Sequence, residues 1–319
     1  MRKFRYVYGP VRSRRLGHSL GLDLVPAKTC CYDCVYCQQG RTTNKTFETA
    51  EYVPAAAVVE ELRAFLADHR GTLDVITLSG SGEPCLNSGA GEVIRAAKEA
   101  GVAPVVVLTN GAPLLYESVR EAVADADVVI PTLTSVRKET FEAVHRPCAG
   151  ISPEALLAAW TEFKKRFRGR FEVEVMILAG FNDSEDELAA LRDALHGLGP
   201  DAVQLNTVER PPTEAFARPV DGRRLREIGD FLDLPYVLPG GAGDAADATE
   251  ASEAALAERA REILKRRPCG PAELAAALGA GTVATSKVLD AMRRRGEVRV
   301  DRRDGQLFFR WSGGTEDER

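Results

Sequence analysis

The sequence predicts a parallel α/β protein. Three observations carry this: six short runs rich in branched apolar residues, six stretches of helical apolar spacing between them, and Gly, Pro, Ser and Asp signals at the changeovers. The first strand, 19–25, ends at Pro26. Pro54 suits a first helical turn, and Val58, Val59, Leu62, Phe65 and Leu66 follow at helical spacing. The second strand is 73–79, and the helix after it stops near Gly101. The third strand, 105–110, precedes a helix over 114–123. A fourth strand begins at Asp127, and Ser152-Pro153 opens the next helix. The fifth strand is 171–178, with Ser184 and Glu187 as a capping box behind it. The sixth is 202–208, and Asp221 caps a helix carrying Leu225, Ile228 and Leu232. This rhythm fits an open doubly wound sheet or a partial barrel. In both, ligands gather beyond the carboxyl ends of the strands.

A second unit follows. Residues 240–250 are Gly-, Ala- and Asp-rich, a linker composition. Beyond them lie helices over 255–267, 271–279 and 282–295, the last capped by Thr282, and a hairpin turning at Asp304-Gly305. Three helices and a hairpin resemble a winged helix-turn-helix. The expected division is 1–238, a linker 239–253, the winged helix 254–312 and a frayed tail 313–319, with two self-contained cores.

The 319 residues are 45% hydrophobic and 28% charged, with a formal net charge of −5. No apolar run approaches the roughly 18 residues of a membrane span. Residues 16–26 are interrupted by His18 and Asp23, so no signal-peptide core is present. A cytoplasmic protein without a membrane partner is expected. Residues 251–311 carry 13 Lys/Arg against 8 Asp/Glu. A basic terminal unit on an acidic body suits nucleic acid or a merely solvated face.

Four of the seven cysteines, Cys30, Cys31, Cys34 and Cys37, fall within eight residues. A secreted disulfide framework would spread them more evenly. Cys30, Cys34 and Cys37 have the spacing CxxxCxxC, with Tyr36 before the last. Three thiolates in one loop can hold three irons of a [4Fe–4S] cluster and leave the fourth open to another ligand. Zinc usually takes four protein ligands in a structural site, commonly in CxxC pairs, and no second pair exists here. Cys31, Cys85, Cys148 and Cys269 read as buried small hydrophobes.

CxxxCxYC after the first strand of a six-fold βα pattern resembles the radical S-adenosylmethionine (SAM) enzymes over residues 1–235. The resemblance implies a partial (β/α)6 barrel. It implies that SAM chelates the open iron of a [4Fe–4S] cluster and is cleaved to a 5′-deoxyadenosyl radical that abstracts hydrogen. A reductant such as flavodoxin or ferredoxin supplies the electron. Ser79-Gly80-Ser81-Gly82-Glu83-Pro84 matches the family's glycine-rich turn for the SAM amino group, which assigns Gly80, Gly82 and Glu83 to SAM. Asn110 falls where the family often has a polar SAM contact, Thr132 where a serine meets the ribose, and 175–180 where apolar side chains frame adenine. Thr134 stands where many relatives carry an acid.

The stretch 9–21, with Lys28-Thr29-Cys30 and His145-Arg146-Pro147, resembles a bacterial and archaeal group labelled as related to the transfer-RNA wyosine synthases. The wyosine synthases carry further N-terminal cysteines, whereas no cysteine precedes Cys30. Arg12, Arg14, Arg15 and Arg41 flank the cluster loop, placed to steer an anionic substrate or to pair with acids. Lys287, Arg293, Arg294, Arg295, Arg299, Arg302 and Arg303 give the terminal unit a phosphate-binding face. Three readings follow: a radical SAM enzyme acting on RNA or protein, one acting on a small molecule, and an iron–sulfur redox sensor that binds DNA.

Overall fold

A computed structural model describes residues 4–239, 253–303 and 305–312. The linker residues 240–252, Asp304 of the hairpin turn and the tail 313–319 lie outside these. The chain opens with an antiparallel hairpin of β1 (Val7–Ser13) and β2 (Gly17–Leu22). Two short strands, β3 (Thr29–Cys30) and β4 (Asn44–Lys45), pair within the next loop. There follow α1 (Ala55–Asp68), β5 (Val75–Leu78), α2 (Ala90–Ala100), β6 (Val105–Thr109), α3 (Glu117–Val123) and β7 (Val128–Leu133). Then come α4 (Lys138–His145), α5 (Pro153–Arg166), β8 (Arg170–Ile177), α6 (Glu185–Leu198), β9 (Ala202–Thr207), α7 (Gly222–Leu232) and β10 (Tyr236–Val237). The sheet order is β1-β2-β5-β6-β7-β8-β9-β10, parallel from β2 to β10. This curled sheet is a partial barrel whose six principal parallel strands, β2 and β5–β9, are the six expected.

Strand alternation sorts the side chains. Ile76, Leu78, Val105, Val107, Val129, Val173 and Val203 face outward into one core with Val58, Leu62, Ile94 and Trp160 of the covering helices. That two-sided burial is why the strands read as nearly unbroken apolar runs. The inner face starts apolar, with Val75, Val106 and Ile130 against Leu16 from the hairpin turn. Across β7–β9 it becomes polar at Thr132, Glu174, Gln204 and Asn206.

Helix ends follow their local signals at most positions. Gly101 closes α2 in the left-handed conformation, and Ser152 and Asp221 accept capping hydrogen bonds from Ala155 and Arg224. Ser184 caps α6, but the Glu187 carboxylate does not return to it. It accepts instead from Ser135 and Thr140, both at 2.6 Å. The helix expected over 114–123 opens as a 3-10 turn at Ala112–Leu115 before α3. The strand β1 and the helix α4 were not anticipated: Gly9 and Pro10 break the alternation of β1, and α4 has only eight residues.

The terminal unit comprises α8 (Glu253–Arg266), α9 (Pro271–Leu278), α10 (Thr282–Arg294) and an antiparallel ribbon of β11 (Val298–Arg303) and β12 (Gln306–Trp311). The cap of α10 is Gly281, not Thr282, which lies in its first turn. Among the described residues, no helix is long and apolar enough to cross a membrane.

The terminal unit has a buried cluster of its own, which takes in one residue of the barrel's hairpin. Val11 of β1 is buried in the same cluster as Leu256, Ile263, Leu274, Leu289, Met292 and Phe309. Arg266, at the end of α8, is 8% exposed; its Nε donates to Asp23 Oδ2 at 3.3 Å and its guanidinium stacks over Tyr8. The guanidinium of Arg303 reaches the carbonyls of Arg210 and Ala217, and that of Arg310 those of Gln38 and Pro211.

Removing one member of a buried ion pair leaves the other charge desolvated, at a cost of about 3–5 kcal/mol, whereas removing both is often near neutral. Arg266→Met should therefore lower the unfolding free energy in urea by about 3 kcal/mol. The double variant Asp23→Asn, Arg266→Met should recover most of that loss.

Candidate functional site

At the carboxyl ends of the strands, two loops lie against each other. The first runs from β2 through the cysteines. The second is the turn 79–83 after β5. Backbone hydrogen bonds join them: Lys28 N donates to Ser81 O at 2.7 Å, and Glu83 N to Thr29 O at 3.0 Å. The glycines make this approach possible. Gly80 has φ +146°, and a Cβ there would lie 2.5 Å from the Asp23 carboxyl carbon. A Cβ on Gly82 would lie 2.2 Å from the Thr29 carbonyl oxygen. The glycines thus let chain approach chain just ahead of Cys30, a use the sequence reading assigned only to ligand approach.

Asp23 binds the turn from below. It accepts from Ser81 N at 3.1 Å and from Ser81 Oγ at 2.7 Å. Glu83 is 3% exposed, and its carboxylate is spent inside the protein. It accepts from Cys85 N at 3.0 Å, Thr109 Oγ1 at 2.7 Å and Asn110 N at 2.7 Å. Burial pushes its pKa up, with these three donors acting the other way. Glu83 is therefore a strut tying the turn to the end of β6.

Cys30, Cys34 and Cys37 are half-buried, and all seven cysteines are free thiols. Burial pushes the Cys34 thiol well above its ordinary range, and the charges of Cys30 and Cys37 push the same way. Cys37 is raised to about 11, chiefly by burial, with Cys30 adding to it. The three are thus electrostatic neighbours. Among the described residues, no three His, Cys, Asp or Glu side chains converge tightly enough to hold a single metal ion.

Several donors face the sulfurs. Tyr32 N and Asn110 Nδ2 each lie 3.4 Å from Cys30 Sγ, and Asn110 Nδ2 lies 3.2 Å from Cys31 Sγ. His145 Nδ1 is 3.1 Å from Cys34 Sγ, and the Tyr36 hydroxyl lies beside the same sulfur. Cys31 is fully buried, and burial raises its thiol well above the ordinary range. Tyr36 packs with Val35, Val144, Met176, Leu178 and Val208, which places the apolar side chains of 175–180 beside the cysteine loop.

Thr132 lies inside the barrel and donates to Glu174 Oε2 at 2.8 Å. Glu174 Oε1 accepts from Arg15 at 2.7 Å and from Asn206 at 2.8 Å. Burial alone would raise Glu174, but Arg15, Asn206 and Thr132 outweigh it and hold it below its ordinary range. Arg15 thus pairs with a barrel acid, and Arg41 with Asp33 at 3.2 Å and Glu214 at 2.5 Å. A separate cavity of about 360 Å³ lies beyond β9, lined by Thr207, Glu209, Val220, Arg226, Arg303 and Phe308.

A sequence model of the radical SAM superfamily matches residues 24–195, more than half of the chain. The chain belongs to the radical SAM superfamily. A UPF0026 protein of Synechocystis is 34% identical over 73% of this chain and 84% of its own length. A protein of Brachyspira hyodysenteriae named GTPase Obg is 33% identical over 72% of this chain, but the match spans only 34% of that longer protein. Streptococcus suis SuiB, solved with S-adenosylmethionine, superposes with a TM-score of 0.51 at 16% identity, over 69% of this chain and 50% of that one. TYW1 with a lysine–pyruvate adduct gives 0.50 at 13% identity, over 71% and 75%. At such identities these structures speak to the fold. Radical SAM proteins are an enzyme class that typically holds an iron–sulfur cluster and SAM, and the turn 79–83 and the cysteine loop both fall within the matched region.

The sequence reading missed Asp23, seen only as an interruption of an apolar run, and gave Arg15 a pairing with acids without naming Glu174. It named His145 without a partner. No local signal links these residues, since each meets its partner only through the curled sheet.

Gly80 and Gly101 both have positive φ, but only Gly80 has a neighbour where a Cβ would go. Gly101→Ala should cost about 1–2 kcal/mol of conformational strain. Gly80→Ala should cost more in the same urea titration, because the clash with Asp23 adds to the strain. It should also abolish SAM binding in equilibrium dialysis.

Proposed function

We propose that this protein is a cytoplasmic radical SAM enzyme that binds a [4Fe–4S] cluster through Cys30, Cys34 and Cys37 and acts on a nucleic acid held by its terminal unit. One observation carries the cofactor reading: the cysteine loop and the 79–83 turn are zipped together by the Lys28–Ser81 and Glu83–Thr29 hydrogen bonds. A site that had only to hold a metal would not need that turn. Three thiols in one loop can hold three irons of a cluster and leave the fourth open to another ligand, whereas a structural zinc site usually takes four protein ligands. The raised pKa values of Cys34 and Cys37 express burial and the nearby thiol charges, which bound iron cations would reverse. Free thiols suit a reducing cytoplasm.

When bound, the cluster and SAM supply a one-electron cleavage that yields a 5′-deoxyadenosyl radical for hydrogen abstraction. The protein's own residues do the positioning. Backbone atoms of 80–83 would meet the SAM amino group, held there by Asp23 below and the Glu83 strut behind. Tyr36, Met176 and Leu178 would exclude water around the adenine. Thr132 and Glu174 line the barrel toward the ribose and substrate. A flavodoxin or ferredoxin would deliver the electron.

Support for nucleic acid comes from the outer face of the terminal unit, a winged helix on this reading. Lys287, Arg293, Arg294, Arg295, Arg299 and Arg302 are exposed, whereas Arg303 is turned onto barrel carbonyls.

Anaerobically reconstituted protein should hold about four irons. With a strong reductant it should release 5′-deoxyadenosine, measured by liquid chromatography. Cys34→Ala should lose the chromophore and Cys31→Ala should keep it. An intact cluster without SAM cleavage would turn the reading to a redox sensor.

Binding to transfer RNA, read by filter retention, should weaken steeply with salt, because phosphate contacts release counterions. Replacing Arg293 and Arg294 by Ala should flatten the log–log salt slope by about 2. Capture of a single protein from lysate in place of RNA would shift the substrate class to protein.

A further inference from the structure

We propose that His145 donates an N–H···S hydrogen bond to Cys34 and so sets the potential at which the cluster takes up its electron. The proposal rests on the cluster assignment above and adds a positioning residue to it. His145 is fully buried at the end of α4, with its ring 4.7 Å from that of Tyr32 and 4.9 Å from that of Phe141. Both ring nitrogens have partners: Nδ1 lies 3.1 Å from Cys34 Sγ, and Nε2 lies 2.8 Å from Thr134 Oγ1.

The chemistry of the partners decides the tautomer. A cysteine bound to iron is a thiolate, with no proton to give. Nδ1 must then carry the hydrogen, and in a neutral ring Nε2 must accept. The Thr134 hydroxyl supplies that proton. Thr134 is itself fully buried, and its carbonyl accepts from Asn182 Nδ2 at 2.6 Å, which fixes the strand end that carries it.

Two features that the cofactor reading left unused are thereby joined. Thr134 occupies a position where an acid was expected from the resemblance, and His145 heads the His145-Arg146-Pro147 stretch. An ionised acid at 134 could only accept from Nε2, whereas a hydroxyl can donate to it and leave the Nδ1 hydrogen aimed at sulfur. Cys30 has a matching donor. Asn110 Oδ1 accepts from Ala112 N at 2.9 Å, which turns the amide nitrogen toward the sulfurs. Two of the three cluster cysteines therefore face side-chain N–H groups. A donor dipole at a cluster sulfur stabilises the reduced, more negative state and raises the reduction potential.

The test is a redox titration of the full-length reconstituted protein, followed by electron paramagnetic resonance, with iron and sulfide counted in each sample. His145→Phe keeps an aromatic ring against Tyr32 and Phe141 but has no donor. It should retain the iron and titrate at a more negative midpoint than wild type. His145→Gln, with an amide N–H, should fall between them. Thr134→Val, which frees the tautomer, should shift the midpoint in the same direction by less. A wild-type midpoint in His145→Phe would overturn the proposal. So would loss of iron in both His145 variants, which would make the histidine a ligand or a folding residue. Should His145→Phe not fold, an unshifted Thr134→Val decides against it. Failure of the cluster assignment itself would show separately, as wild-type protein that takes up no iron.

Discussion

The site depends on Asp23. This carboxylate follows the first parallel strand and holds the turn 79–83 through two hydrogen bonds from Ser81, while Gly80 packs directly on it. Its other partner, Arg266, comes from the far end of the chain and also covers Tyr8, whose hydroxyl pairs with Ser79 Oγ at 2.8 Å. Burial raises the Asp23 pKa, and Arg266 and Ser81 do not cancel it. A carboxyl whose folded pKa exceeds the unfolded one loses stability once pH rises past the unfolded value, and that loss persists at neutral pH. For Arg266 the sign is opposite, since its burial lowers its pKa but Asp23 and Glu262 raise it by more, so Asp23 bears the cost of burial that its partner recovers in part. What the pair gives is position: a single arrangement in which the hairpin, the turn and the terminal unit agree.

The same pattern recurs at Glu83 after β5 and at Glu174 in β8. Charged and polar side chains that face the opening are satisfied by one another before any ligand arrives. Glu83 is held by three donors, and Glu174 by Arg15, Asn206 and Thr132. Groups fixed in this way need little reorganisation when a ligand binds. Asn110 and Thr132, expected to meet SAM with their side chains, are each committed to a protein partner.

The architecture was legible because it rests on local periodicity. Strands buried on both faces read as runs of Val, Ile and Leu, and caps such as Ser152 and Asp221 mark helix starts within a residue. The cysteine loop was legible because its donors are close in sequence. The rest of the site was not. Asp23 and Arg266 are 243 positions apart, and Cys34 and His145 are 111 apart. Such pairs exist only once the sheet has curled and α4 has packed over the loop, and no periodicity or spacing records that. β1 was missed for another reason. Its sequence, Val-Tyr-Gly-Pro-Val-Arg-Ser, holds Gly9 and Pro10 in its middle, which break the alternation that marks a strand.

The terminal unit shows how composition can mislead about function. Its excess of basic residues suggests a uniform phosphate-binding surface, but the structure divides them by task. Arg266, Arg303 and Arg310 turn inward, one to a buried carboxylate and two to backbone carbonyls of the barrel. Lys287, Arg294, Arg299 and Arg302 remain outside. The inward set grips the loop after Cys37 through the Gln38 carbonyl and the turn 79–83 through Asp23. The terminal unit is thus hydrogen-bonded to both loops of the site. The unit is a brace for the site first, and any role as a reader of substrate is built on that brace.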